Sequence, residues 1–333
     1  MFNQAWIKMY KENRDKKAMT YEFVSPMHPD KICDQIADAI LDDYLSSDPD
    51  ARVAIEVMGG HGKIKITGEI STKWDSNLSA QSIEEIVREI AGYAYEVEIF
   101  TSKQSREIAR GVDSGGAGDQ GIMIGYACSD TDTHMPRGYE IARQLCRDIY
   151  EHYPHDGKVQ VTISGDSVLA VVASFQHTRT EDLDGMVRQL ISANNYFINP
   201  AGEWITGGFD ADSGLSGRKI VIDNYGPEVP VGGGSFSGKD LTKVDRSGAY
   251  MARKIAVDLL KQKEASEVLV KLGYVIGVTE PVMAVAKIDG VLETVSGYDL
   301  TPKGIIKTLN IGRPLFYETA KWGHFGRGFR WDK

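Results

Sequence analysis

Cysteine is scarce. The 333 residues hold three, Cys33, Cys128 and Cys146, too scattered for a CxxC pair. That excludes a disulfide framework and a cysteine zinc site. A basic excess is also missing: 38 Lys and Arg stand against 47 Asp and Glu, for a net charge of −9. An acidic chain argues against a broad nucleic-acid-binding surface, while leaving room for a local basic pocket around a phosphorylated small molecule. No apolar run reaches the ~18 residues of a membrane-spanning helix, and the first residues lack the apolar centre of a secretory signal. The expectation is a cytoplasmic protein with neither nucleic-acid nor membrane partners. His61, His134, His152, His155 and His177 show no metal-ligand spacing, and no Ser/His/Asp or Cys/His constellation stands out.

What is present is an ordinary globular composition, 42% hydrophobic and 26% charged, which excludes disorder for the bulk of the chain. Glycine is abundant at 35 residues, above the usual share of roughly 7%, so loops that approach a ligand closely are expected. Residues 1–18 are polar and aperiodic and read as an extension. Beyond them a pattern recurs three times. Strand-like runs at 52–58 and 63–70 precede a helical stretch near 82–98. Runs at 158–164 and 167–175 precede one near 181–195. Runs at 267–279 and 282–288 precede one at 301–309. Hairpin then helix, three times over, predicts three related α+β units. Ile32, Cys33, Ile36, Ala37, Ile40, Leu41, Tyr44 and Leu45 form the apolar face of a further helix. Asp34, Asp38 and Asp42 lie opposite and read as a solvated face. Val244, Met251, Ile255 and Leu259 mark a second long helix.

Four segments carry chemistry. In 25–31, Pro29 suits a first helical position and Asp30 the first turn. His28, Asp30 and Lys31 at a helix N-terminus could then hold a phosphate chain and its metal. In 232–246, Gly233 to Lys239 satisfies GxxxxGK, but Asp240 stands where a P-loop needs Ser or Thr for Mg²⁺. A helix starting near Lys239 would place Lys239, Lys243 and Arg246 on one face, with Asp245 as a Mg²⁺ ligand. In 210–219, small residues precede Arg218 and Lys219 and a strand at 220–222, which reads as another anion-facing turn. The glycine-rich 115–121 is a fourth loop suited to close ligand approach or a lid.

Over roughly residues 20–331 the chain resembles the methionine adenosyltransferase (S-adenosylmethionine synthetase) family. The matching stretches, in order, are HPDKICDQIADAILD, GEIST, GAGDQGIMIGYA, FINPAGEWITGG, DSGLSGRKIVIDNYG, GGGSFSGKDLTKVDRSGAYMARKIA and GHFGR. The resemblance implies an α+β fold of three similar sheet/helix domains with pseudo-threefold symmetry. The expected divisions are 19–113, 114–205 and 206–333. It implies the conversion of ATP, L-methionine and water to S-adenosylmethionine, phosphate and diphosphate, with two Mg²⁺ ions per site and K⁺. It also implies a homodimer with shared active sites and pairing into tetramers.

Carried over by position, the catalytic set would be His28, Lys158, Arg218, Lys239 and Lys243. ATP would meet His28, Asp156, Gly157, Lys158, Trp204 (against adenine), Asp212, Arg218, Lys219, Ser235 and Lys239. Methionine would meet Glu69, Gln104, Asp119, Asp212 and Lys243. Asp30 and Asp245 would hold Mg²⁺ and Glu56 K⁺. The chain departs from the family at Pro26-Met27 and at Val231. It also departs in a shorter segment between Gln104 and Gly118, which implies altered lid closure and looser methionine selectivity. Two other readings stand beside this one: a P-loop-like NTPase, and a catalytically altered binding relative.

Overall fold

The computed structural model describes residues 18–73, 80–104, 115–311 and 316–333. Residues 1–17 of the expected extension, and most of the expected short lid segment, lie outside the described residues. Three four-stranded sheets are present among the described residues. One contains β1 (Met19–Val24), β6 (Gly157–Ser164), β7 (Ser167–Phe175) and β8 (Asn195–Ile198), in that order. The second runs from β9 (Gly214–Leu215) through β2 (Arg52–Gly60) and β3 (Lys63–Ser71) to β4 (Glu96–Ser102). The third runs from β5 (Gly121–Cys128) through β10 (Glu267–Tyr274) and β11 (Met283–Ile288) to β12 (Val291–Thr294).

The repeat foreseen in the sequence is visible in these orders, and it is richer than hairpin then helix. In each sheet an antiparallel hairpin forms the centre, and a strand from elsewhere in the chain pairs antiparallel with the hairpin's first member. In two sheets the hairpin is followed by a helix and then a parallel strand. α2 (Ala80–Ala91) connects β3 to β4, and α4 (Thr180–Leu190) connects β7 to β8. In the third sheet β12 is antiparallel to β11 and no helix intervenes. The expected helices near 82–98 and 181–195 are therefore too long. Gly92 takes φ +90° and ends the first, and the alternating 96–100 stretch that follows is β4. An extended Ile191 ends the second.

Helix α1 (Pro29–Ser47) follows the expected pattern at its start: His28 is the N-cap and Pro29 occupies the first turn. Its apolar stripe, from Ile32 to Tyr44, is buried. Helix α3 (Arg137–His152) lies on β1 and β6, with Tyr139, Ala142, Leu145 and Ile149 inside. The strand expected at 220–222 is instead the short helix α5 (Ile220–Asp223), closed by the Asn224 side chain donating to the Ile220 carbonyl at 2.7 Å. Helix α6 (Val244–Lys263) packs on β5 and β10. α7 (Pro302–Leu309) begins under a Thr301 cap, and α8 (Phe316–Trp322) lies on α1. Trp331 stacks on Tyr250 at 3.9 Å between centroids and is wholly buried.

Two compact units emerge. One joins the described residues up to Ser25 with Arg137–Ile205, and the other joins Pro26–Pro136 with Thr206–Lys333. No helix among the described residues is long and apolar enough to cross a membrane.

Candidate active site

In the larger unit, the N-terminus of α1 gathers charge. His28 Nδ1 accepts from the Asp30 N–H at 3.2 Å. Asp30, almost fully buried, accepts from the Leu215 N–H at 2.9 Å and from Lys219 Nζ at 2.5 Å. Arg218 stands 3.7 Å from the same carboxylate. Burial would raise the Asp30 pKa, but the Lys219 hydrogen bond and the Leu215 amide outweigh it and hold Asp30 below the ordinary carboxylate range. It is therefore an anion at a helix N-terminus, with two cations beside it.

The glycine loop forms the second half. Lys239 Nζ reaches Asp245 at 2.7 Å and Lys243 Nζ reaches Asp240 at 2.5 Å. A β-carbon on Gly234 would lie 2.3 Å from the Asp245 carboxyl carbon, so only glycine lets the loop backbone lie against that carboxylate. The helix expected from Lys239 begins at Val244, with Lys243 as its N-cap. No strand runs into the loop and no helix follows it directly, so the P-loop architecture is absent here. Ser235 meets the 210–219 loop at Gly217, where an added β-carbon would approach the Ser235 β-carbon to 2.5 Å. Glu56 on β2 accepts from Ser216 Oγ at 2.5 Å. Burial pushes the Glu56 carboxyl up, and Ser216 and Lys239 pull it back. His28, Asp30, Glu56, Arg218, Lys219, Ser235, Lys239, Lys243 and Asp245 are thus all carried by one unit: His28, Asp30, Arg218 and Lys219 meet in one group, Lys239 and Asp245 in another, and Lys243 pairs with Asp240.

Two cations expected on the phosphate face belong to the interior. Lys31 is 1% exposed and donates to Asp34 at 2.9 Å and Asp223 at 2.6 Å. Arg246 is fully buried. It grips Asp38 with both terminal nitrogens, at 2.7 and 2.9 Å, and lies 4.1 Å over the Phe316 ring. Both are closed in by protein partners. The supposedly solvated aspartates correct in the same sense. Asp34 accepts from the Gly217 N–H at 2.8 Å and Asp38 from the Gly238 N–H at 2.8 Å. Asp42 accepts from the Phe316 and Tyr317 N–H groups at 3.1 and 2.9 Å. With Asp30 they form a row at every fourth residue of α1: Asp30 and Asp34 dock the 214–219 loop, Asp38 the glycine loop and Asp42 the start of α8. The sequence offered one signal for this role, the strict spacing of four.

Other expected site residues lie apart from these contacts. Asp212 accepts from its neighbour Ser213 N–H at 2.8 Å, and Asp119 likewise from Gln120 at 2.7 Å. Glu69 sits on β3 opposite Ala54. The Gln104 N–H donates to Ser71 Oγ at 3.1 Å, and its side chain lines a cavity of about 700 Å³ with Arg52, Ser71, Asp240, Thr242 and Phe316. In the smaller unit, the Asp156 carbonyl accepts from Gln176 N–H at 2.8 Å and the Gly157 carbonyl from Ser25 N–H at 2.9 Å. Lys158 pairs with Glu22 at 2.6 Å. The half-buried Trp204 accepts at its carbonyl from His177 N–H at 3.0 Å.

The donor set bears on metals. Among the described residues no group of three or more His, Cys, Asp or Glu converges as a metal cage. Asp30 and Asp245 each offer a single carboxylate. That suits Mg²⁺, which keeps waters and takes phosphate oxygens with one or two carboxylates. Glu56 with Ser216 offers oxygen donors for a monovalent ion.

Family models match three successive stretches: S-adenosylmethionine synthetase, N-terminal domain, over 16–113; central domain over 114–204; and C-terminal domain over 206–333. The S-adenosylmethionine synthase of Parvibaculum lavamentivorans is 37% identical over 96% of this chain and 96% of its own. That of Clostridium tetani is 39% identical over 94% and 95%. An unusual S-adenosylmethionine synthetase from Campylobacter jejuni superposes with TM-score 0.85 and 31% identity, covering 95% of this chain and 96% of that one.

Proposed function

Since the chain belongs to the S-adenosylmethionine synthetase family and is a methionine adenosyltransferase, we propose that its α1 N-terminus and glycine loop bind the triphosphate of ATP. The observation that carries this reading is the double pairing Asp30–Lys219 and Lys239–Asp245. It sets two cations and two carboxylates beside a scaffold in which Lys31, Asp34, Asp38, Asp223 and Arg246 are buried.

The thioether of methionine is a neutral nucleophile, so no general base is needed. It attacks C5′ of ATP in line, and the C5′–O bond breaks. The leaving triphosphate gains negative charge on its bridging oxygen. Arg218, Lys219, Lys239 and His28 stabilise that charge, with Lys158 as a further cation and Ser235 as a donor. Held reactants supply much of the remaining acceleration. Triphosphate then hydrolyses to phosphate and diphosphate. The family is metal-dependent. Asp30 and Asp245 would hold Mg²⁺, which when bound neutralises phosphate charge, and Glu56 would hold K⁺. Glu69, Gln104, Asp119, Asp212 and Lys243 would receive methionine, and Asp156, Gly157 and Trp204 would receive ATP. The same proposal includes the divisions 19–113, 114–205 and 206–333, the homodimer with shared sites, its pairing into tetramers, and the cytoplasmic location. The family models' spans support the divisions.

Product analysis tests the reading. With ATP, L-methionine, Mg²⁺ and K⁺, we expect S-adenosylmethionine, phosphate and diphosphate in equal amounts and no ADP. ADP as the nucleotide product would overturn it.

A further inference from the structure

The loop that carries Arg218 and Lys219 is tied to α1 at both ends. Before the pair, the Gly217 N–H donates to Asp34 Oδ1 at 2.8 Å. After it, Asp223 Oδ1 on α5 accepts from Lys31 Nζ at 2.6 Å, and the same ammonium donates to Asp34 Oδ2 at 2.9 Å. One buried cation thus joins the two anchors. Lys31, Asp34 and Asp223 are 1%, 0% and 3% exposed, so none of them can meet a ligand itself. The tie is braced from outside. The Asp223 carbonyl accepts from the His324 N–H at 3.0 Å, and the Asp223 N–H donates to the Lys219 carbonyl at 2.8 Å. Gly217 holds φ +74° with Ser235 pressed against the space a side chain would need.

We propose that Lys31, Asp34 and Asp223 are positioning residues for the adenosyl-transfer reaction: together they fix both ends of residues 217–223, so that Arg218 and Lys219 stand beside Asp30 where the triphosphate leaves. This rests on the phosphate-site reading above. Arg and Lys have long, rotamer-rich side chains whose ordering is costly. A rigid backbone beneath them removes part of that cost before substrate arrives, and displacement of such a support by about 1 Å can lower a rate ~100-fold.

The test compares Asp223→Asn with Asp223→Leu in the full-length enzyme. Both leave Lys31 paired with Asp34, one buried cation against one buried carboxylate, but only Asn can still accept from Lys31. Inorganic tripolyphosphate is the probe, its affinity measured by calorimetry beside kcat and the methionine KM. We expect Asn to keep tripolyphosphate affinity within about threefold of wild type. Leu should lose roughly 10- to 100-fold in that affinity and in kcat, with methionine KM within about twofold. Gly217→Ala, which disturbs the other anchor and leaves the ion triad intact, should show the same split and serves if the Leu protein does not fold. Equal tripolyphosphate affinity in the Asn and Leu proteins, or a methionine KM rising in step with it, would overturn the proposal. A wild-type enzyme that binds no tripolyphosphate would remove the phosphate-site reading itself.

Discussion

Lys219 and Lys239 each keep 18% of the side chain exposed, and each leans on one aspartate. Lys31 and Arg246, a few residues from them in sequence or space, are 1% and 0% exposed. Lys31 is shared by two aspartates, and Arg246 is clasped by one carboxylate, a hydroxyl of Thr319 and a backbone carbonyl. The interior pairs are closed sets. Burial would lower the Lys31 pKa, but Asp223 and Asp34 keep its ammonium firmly charged. The rim pairs are open on one side, so a phosphate can replace a carboxylate as partner at little desolvation cost. The same residue types therefore build scaffold or site according to how many partners the protein itself supplies.

The sharpest way to break this comparison is Asp38→Ala. Arg246 would remain buried without its carboxylate, and we expect the unfolding free energy in urea to fall by about 3–5 kcal/mol. A loss under about 1 kcal/mol would mean that the interior pairs are no more committed than the rim. Lys239→Met should do the reverse. We expect kcat to fall about 10²- to 10³-fold, with unfolding free energy changed by less than about 1 kcal/mol.

The smallest effect concerns Asp42. Burial, with Asp38 nearby and against the pull of the Tyr317 amide, pushes its carboxyl up to about 6, whereas an unfolded chain has a value near ~4. A raised carboxyl favours the folded state most at low pH, and that contribution fades as pH rises through about 6. The side chain left by Asp42→Asn does not titrate. The melting temperature of the Asp42→Asn protein relative to wild type should therefore climb from about pH 4 to 6 and level off above. A constant difference would remove Asp42 from the titrating set.

Much of this was legible in the sequence, and the failures have a common cause. The α1 stripe, the glycine loop and the hairpins are local patterns and stand close to where period and turn residues put them, although the strand expected at 267–279 ends at Tyr274. The functions of Lys31, Asp34, Asp38 and Arg246 were misread because a polar helix face is exposed by default. Here its partners are the amides of Gly217 and Gly238, far along the chain. β9 is two residues long, too short for any alternation to announce it. His28, Asp30, Lys219, Lys239 and Asp245 were singled out by composition and spacing, and the structure links His28, Asp30 and Lys219 in one cluster and Lys239 and Asp245 in another.

The borrowed strands have a consequence for how the chain is made. Met19 pairs with Ile163 and Val24 with Lys158. A ribosome therefore releases β1 and must then deliver α1, β2 through β5 and α3 before its neighbour β6 exists. Throughout that interval the nascent chain carries a strand with unpaired edges, the kind of template that invites mispairing with other chains. The register that closes the smaller unit is thus settled late, between β1 and a strand that follows it only after the whole of α1 to α3 has been made.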